Sequence, residues 1–137
     1  MASFNKFNAF AENGAEVINL DSDQLKVALT NTAPSASNSV LADITEISYT
    51  YCSSRNVTTT SSSQTGGTYK LVCQDLVLSA SGGSVGPFRY VVLYDDTPTS
   101  PADPLIGWWD YGSSITLTDG ETLTIDFDGT NGVLQLA

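Results

Sequence analysis

The sequence predicts an all-β fold, an antiparallel β-sandwich of jelly-roll type, with one short helix at its N-terminus. Three observations carry that reading. Ile115, Leu117, Leu123, Ile125 and Phe127 alternate with Thr116, Thr124, Asp126 and Asp128, the period-two signature of half-buried strands. Asp119-Gly120, between the two runs, is a local hairpin signal. Charged residues make up only 15% of the 137 positions, so the surface is dressed in Ser, Thr, Asn and Gly rather than ions, as suits a β-rich chain. This length implies one domain over 1–137 with a sizeable core. Residues 1–20 form its helical N-terminal segment, packing on the sandwich or extending from it.

The elements follow in order. Phe4, Phe7, Phe10 and Ala11 recur at spacings that place them on one face of a short helix, with Ser3 as N-cap and Asn13-Gly14 as its stop. Leu25, Val27 and Leu29 alternate with Lys26, Ala28 and Thr30 as a first strand, ending in a polar loop over 31–39. Leu41, Ile44 and Ile47 share a three-residue spacing, which suggests a helical turn over 40–47. The Ser/Thr tract 57–68 reads as an edge strand leading to an exposed loop. Tyr69, Leu71 and Cys73 then alternate before the apolar phase moves to Leu76 and Leu78. A one-residue slip would turn the side chains to the wrong face, so a bulge near Asp75 is the economical explanation.

A loop is expected over 81–87. In the strand that follows, Phe88, Tyr90, Val92 and Tyr94 line one face and Val91 and Leu93 the other. Such a strand needs a cover on both faces. One is the second sheet; the other is the N-terminal helix or a neighbouring subunit. The stretch 95–104 holds three of the five prolines and reads as a rigid loop. Trp108 and Trp109 point to opposite faces of the next strand, Trp109 in phase with Leu105 and Tyr111, Trp108 with Ile106 and Asp110. One indole fills the core; the other, Trp108, is the candidate for an interface. If Leu117 opposes Leu123 in a hairpin, the loop has odd length, with Gly120 left-handed in a G1 bulge. DGTNG at 128–132 turns the chain into a last strand, VLQL.

Charge and composition exclude several functions. Five basic against 15 acidic residues leave a formal charge of −10, which repels phosphate backbones, so no nucleic-acid partner is expected. No apolar run approaches the ~18 residues of a membrane span, so no membrane partner is expected either. The start MASFNKFNAF lacks the basic opening and apolar stretch of a secretory signal, so synthesis in a host cytoplasm is the expectation. Cys52 and Cys73 then read as two reduced thiols, a disulfide between neighbouring strands staying open for a protein that ends up outside a cell.

The chain has no His, which removes Ser-His-Asp and Cys-His arrangements and most zinc sites. Asp126 and Asp128 share one strand face at roughly 7 Å, but it is the polar side of an alternating strand, so they read as solvated. Asp95, Asp96 and Asp103 match no EF-hand spacing, and Asn56-Val57-Thr58 is a sequon only in a secretory setting. No catalytic residue, cofactor or metal site is expected, and the chain reads as a non-enzyme.

Five segments, FNKFNAF, LKVALTNTAP, SSSQTGGTYKLV, VGPFRYVVLYDDTP and PLIGWWDYGSSITLTDGETLTIDF, resemble small virion proteins of tailed bacteriophages. They are similar to the capsid decoration, or cement, proteins of the outer shell, from about Phe4 to Leu136. The resemblance implies a β-sandwich body without catalytic residues, often trimeric, that grips the major capsid protein and stabilises the head. The expected location is the outer capsid surface of a virion. Candidate contacts are Phe4, Phe7, Phe10 and Trp108, together with the second face of the 88–94 strand. Two other readings stay open: a phage tail or fibre module that meets the host surface, and a carbohydrate-binding β-sandwich with Trp108 and a nearby Tyr as its platform.

Overall fold

The computed structural model describes residues 2–137, of which nearly half is strand and one short stretch is α-helix. In chain order the elements are β1 (Asn5–Lys6), α1 (Phe10–Glu16), β2 (Leu25–Thr30), β3 (Asn56–Val57), β4 (Thr59–Thr65), β5 (Thr68–Cys73), β6 (Leu76–Ser79), β7 (Val85–Asp95), β8 (Leu105–Leu117), β9 (Thr122–Ile125) and β10 (Leu134–Leu136). Every ladder is antiparallel. One layer is a five-stranded sheet in the order β1-β8-β7-β2-β3. The opposite layer is split into a three-stranded sheet, β10-β5-β4, and a two-stranded one, β6-β9. The antiparallel sandwich expected from the alternation is what forms.

Its core lies between the layers. Leu25, Val27 and Leu29 of β2, with Val91 and Leu93 of β7, meet Leu71 and Cys73 of β5, Leu78 of β6 and Leu134 of β10. Each fully buried aliphatic side chain here contributes about 1.5–3 kcal/mol relative to exposure. Cys52 and Cys73 are not bonded to each other.

The N-terminal segment departs from expectation. Asn5 and Lys6 are extended and pair with Trp108 and Gly107 of β8, because the open sheet edge offers backbone partners that a frayed helical turn lacks. Phe4 and Phe7, an odd number apart on an extended chain, fall on opposite sides of the sheet rather than on one helix face. Phe4 packs edge-on against Trp109 at 5.4 Å and Phe7 against Trp108 at 4.6 Å. The helix begins only at Phe10, runs through Asn13-Gly14, and ends where the Val17 N–H reaches the Asn13 carbonyl. Ser3 caps nothing, and the N-cap position is Ala9. Gly107 makes the crossing possible, since a Cβ there would run into the Phe4 ring.

Two ladder irregularities reset the faces of β7 and β8. Leu93 opposes Gly107 while Tyr94 opposes Leu105, so one residue of β8 is bulged. Ile106 and Trp109 consequently join the inner core, and Leu105 and Trp108 the outer face, which corrects the phase read from simple alternation. Further along, Tyr90 opposes Asp110 but Phe88 opposes Ile115. The surplus residues of β8, 111–114, are exposed, and Phe88 turns inward beside Val91 instead of outward beside Tyr90. Pro87, expected in a loop, lies in β7 next to this irregularity, a position where its missing N–H is tolerated.

The Asp119-Gly120 turn is real, and Gly120 is left-handed at φ +91°, but the turn does not close a hairpin. β9 pairs with β6, placing Leu123 opposite Leu78 and Ile125 opposite Leu76. The turn is thus a corner between layers. The Gly120 N–H donates to the Ala80 carbonyl at 2.8 Å, and the Ala80 N–H to that of Glu121 at 3.0 Å. Glu121 also accepts the Thr118 N–H and hydroxyl, each at 2.7 Å, which holds its carboxyl below the usual range.

The phase change after Cys73 has a related cause. There is no bulge within one strand; the chain leaves one sheet at Gln74-Asp75 and enters another. The Phe127 N–H donates to Asp75 Oδ1 at 3.0 Å and secures the crossing. β4 is an edge strand as expected, but a two-residue Gly66-Gly67 turn, rather than a long loop, joins it to β5. The 40–47 stretch contains a single 3₁₀ turn, Leu41–Asp43.

Candidate contact surface

The register of the five-stranded sheet defines its outer face. Trp108 opposes Val92, which opposes Ala28, and the next row runs Asp110, Tyr90, Thr30. Phe7, Ala28, Val92, Tyr94 and Leu105 form a small second cluster here, with Leu41 and Ile44 leaning on it from the 3₁₀ turn. The strand apolar on both faces therefore does have two covers. The outer one is Phe7 and the 40–44 segment rather than the helix, whose Phe10 enters the inner core.

That cover stops short of one end of the sheet. Trp108 is half-buried, its ring tilted 45° against Phe7, and its indole N–H finds no hydrogen-bond acceptor among the described residues. Tyr90, diagonal to it, is also half-buried. Beside Tyr90, Arg89 and Asp110 make a two-pronged ion pair at 2.8 and 3.1 Å. The Arg89 guanidinium, with the Gly112 N–H, holds the Asp110 carboxyl below the usual carboxylate range. The result is an aromatic ledge with an ordered charged rim, of the kind that supplies the anchor of an interface.

Of the four residues expected to meet a partner, Phe7 at 0% exposure and Phe10 at 5% lie inside the chain's own core. Phe4 is half-buried between Gly107 and Trp109, and Trp108 keeps part of its ring open. The structure does not bring the four together. Trp109 belongs to the inner face, where it meets Phe127 at 5.7 Å. Together with Val91, Leu123 and Ile125 it lines an apolar groove of about 250 Å³ at the mouth of the sandwich.

The acidic residues separate likewise. Asp126 and Asp128 do not share a strand face, because β9 ends at Ile125 and Asp128 is left-handed at φ +53°. Asp126 accepts the Asp128 N–H at 2.8 Å, and Asp128 accepts those of Thr130 and Asn131, so both shape the turn. Among the described residues, no group of three or more His, Cys, Asp or Glu converges as metal ligands, and no helix is long and apolar enough to cross a membrane.

Two arrangements escape sequence reading, because no residue pattern marks their partners and only the fold brings them together. The Tyr49 hydroxyl accepts the Leu29 N–H at 3.0 Å and donates to Glu46 at 2.7 Å, while the Arg55 guanidinium covers its ring at 3.6 Å. Burial, above all, pushes that hydroxyl's pKa well up. The other is the buried Asp95, treated below. Comparison of the chain with family models, with curated proteins and with solved structures finds no match.

Proposed function

We propose that this chain is a non-enzymatic virion structural protein, a decoration protein that binds the outer surface of a phage head. It contacts the major capsid protein, acts as a homotrimer, and stabilises the shell. The observation that carries the reading is the aromatic ledge of Trp108 and Tyr90 on a sheet face that the chain covers only in part. A rigid sandwich with such a ledge is suited to gripping a surface, and the five resembling segments narrow that surface to a phage shell. The acidic balance of the chain fits a partner with basic or neutral patches.

An antibody to this chain is expected to label purified virions evenly over the head. Label confined to the tail would overturn the reading in favour of a tail or fibre module. Trp108→Ala is expected to weaken binding to undecorated heads by roughly 30-fold, the size of a hot-spot loss. Trp108→Phe, which keeps the contact with Phe7, should separate lost binding from lost folding. Equal binding by Trp108→Ala and the parent would remove the ledge from the interface. The same aromatic pair beside Asp110 favours a sugar platform as the second reading; it requires glycans to quench the tryptophan fluorescence.

A further inference from the structure

Asp95 ends β7 opposite Leu25 and has no exposed surface. Its Oδ1 accepts the Thr97 N–H at 3.1 Å. Its Oδ2 is the one buried side-chain polar atom without a hydrogen-bond partner among the described residues. An orphaned oxygen of this kind carries the full desolvation penalty and calls for a physical account.

The groups around it supply one. The Asp23 carboxyl, from the loop before β2, lies within hydrogen-bonding reach of Asp95. Asp23 is itself held, its Oδ2 accepting the Asn19 N–H at 3.0 Å. Asp96 adds a further negative charge from the same strand end. Backbone bonds converge on the same junction. The Asp95 N–H donates to the Pro104 carbonyl at 3.0 Å, the Asp96 N–H to that of Gln24 at 2.9 Å, and the Gln24 N–H to Thr97 Oγ1 at 2.8 Å. Two adjoining carboxyls, one of them without exposed surface, do not both ionise readily.

We propose that Asp23 and Asp95 share one proton, forming a clasp that ties the 19–24 loop to the end of β7 and opens when the proton leaves. In the closed form the protonated Asp95 carboxyl donates through Oδ2 and the Asp23 carboxylate accepts. Removing the proton leaves two facing anions and no donor between them.

Burial first, and then Asp23, push the Asp95 carboxyl up to about 8 from its ordinary value of 3.8. The folded state thus holds a proton that the unfolded state has released between those values. The clasp's contribution is complete below pH ~4, shrinks as pH rises, and is gone above pH ~8, at up to about tenfold in the folding constant per pH unit. Asp103, raised chiefly by burial, acts in the same sense and is controlled for by Asp103→Asn. Asp43, Asp110, Asp128 and Glu121, all lowered, act in the opposite sense and only at acid pH.

The test is denaturant unfolding of the full chain from pH 5 to 9, for the parent, Asp95→Asn and Asp23→Asn. The parent's folding constant should fall across the window. In an Asp103→Asn background, Asp95→Asn, whose amide N–H replaces the shared proton, should lose the decline that the parent carboxyl shows. Carboxyl NMR of the parent gives a readout that needs no variant: one aspartate titrating near pH 8, far from the ordinary range. Ordinary titration of every carboxyl, or the same decline in Asp95→Asn, overturns the proposal. So does a rise in parent stability at pH 8 on adding millimolar calcium chloride that Asp95→Asn does not share, since the pair would then hold a cation.

Discussion

Phe88→Ala is expected to lower the unfolding free energy by about 3–5 kcal/mol. Phe88 has no exposed surface and lies in the inner core with Val85, Val91 and Leu117. Truncation leaves a ring-sized void between the two layers, and a close-packed interior closes little of it. The comparison with Tyr90→Ala makes the test specific. Strict alternation puts both rings on one face, where the two substitutions would cost similar amounts. The ladder break between them buries Phe88 and leaves Tyr90 half-exposed, so Tyr90→Ala should cost no more than about 1–2 kcal/mol. Urea unfolding decides it; equal losses for the two variants would mean that Phe88 faces outward.

Gly132→Ala is expected to cost about 2–4 kcal/mol, combining a positive-φ penalty with overpacking. Gly132 has φ +79°, and an added Cβ would sit 2.5 Å from the Leu71 carbonyl oxygen and 2.8 Å from Lys70 Cγ. The lysine can swing away. The Leu71 carbonyl cannot, because it accepts the Val133 N–H at 2.7 Å and so begins the β5–β10 ladder. The substituted chain must therefore give up that register. Gly120→Ala is the control, with a similar φ of +91° and nothing within 4 Å of the new methyl. It should cost only the conformational part, about 1–2 kcal/mol. Equal melting temperatures for the two variants would show that the clash is relieved without disturbing β10.

Much of the sandwich is legible from alternation, because the faces of β2, β5 and β9 follow a strict period of two. Leu25, Val27 and Leu29, or Leu71 and Cys73, point inward as their spacing requires. Partners are another matter. Leu117 and Leu123 have matching parity and a turn between them, yet they lie on different sheets, since parity constrains a face and not a neighbour. Bulges defeat phase in the same way: the bulged residue of β8 exchanges the sides of Leu105 and Ile106 with no local sign beyond Gly107. The Phe4, Phe7, Phe10 spacing suits a helix equally well, and it was the sheet edge beyond β8, a tertiary feature, that drew the segment into an extended form. On the candidate contact surface, Trp108 stands out in the sequence as one member of an adjacent tryptophan pair. Its companionship with Tyr90, and the Asp23–Asp95 pair, depend on residues that only the folded chain brings together.

The corner at Asp119-Gly120 bears on how the chain reaches this structure. Because β9 passes over its sequence neighbour to reach β6, the two-stranded sheet joins segments about 45 residues apart, and β1 reaches β8 across about 100. Neither contact can form by local zipping from a turn, so loop-closure entropy must be met before either ladder is rewarded. Slow assembly, in milliseconds to seconds, is the norm for such topologies. The β4–β5 hairpin, closed by two glycines, is the natural early element, while β6 and β9 wait with their edges open. The chain is most exposed to mispairing during this interval, before the corner has carried β9 to its partner.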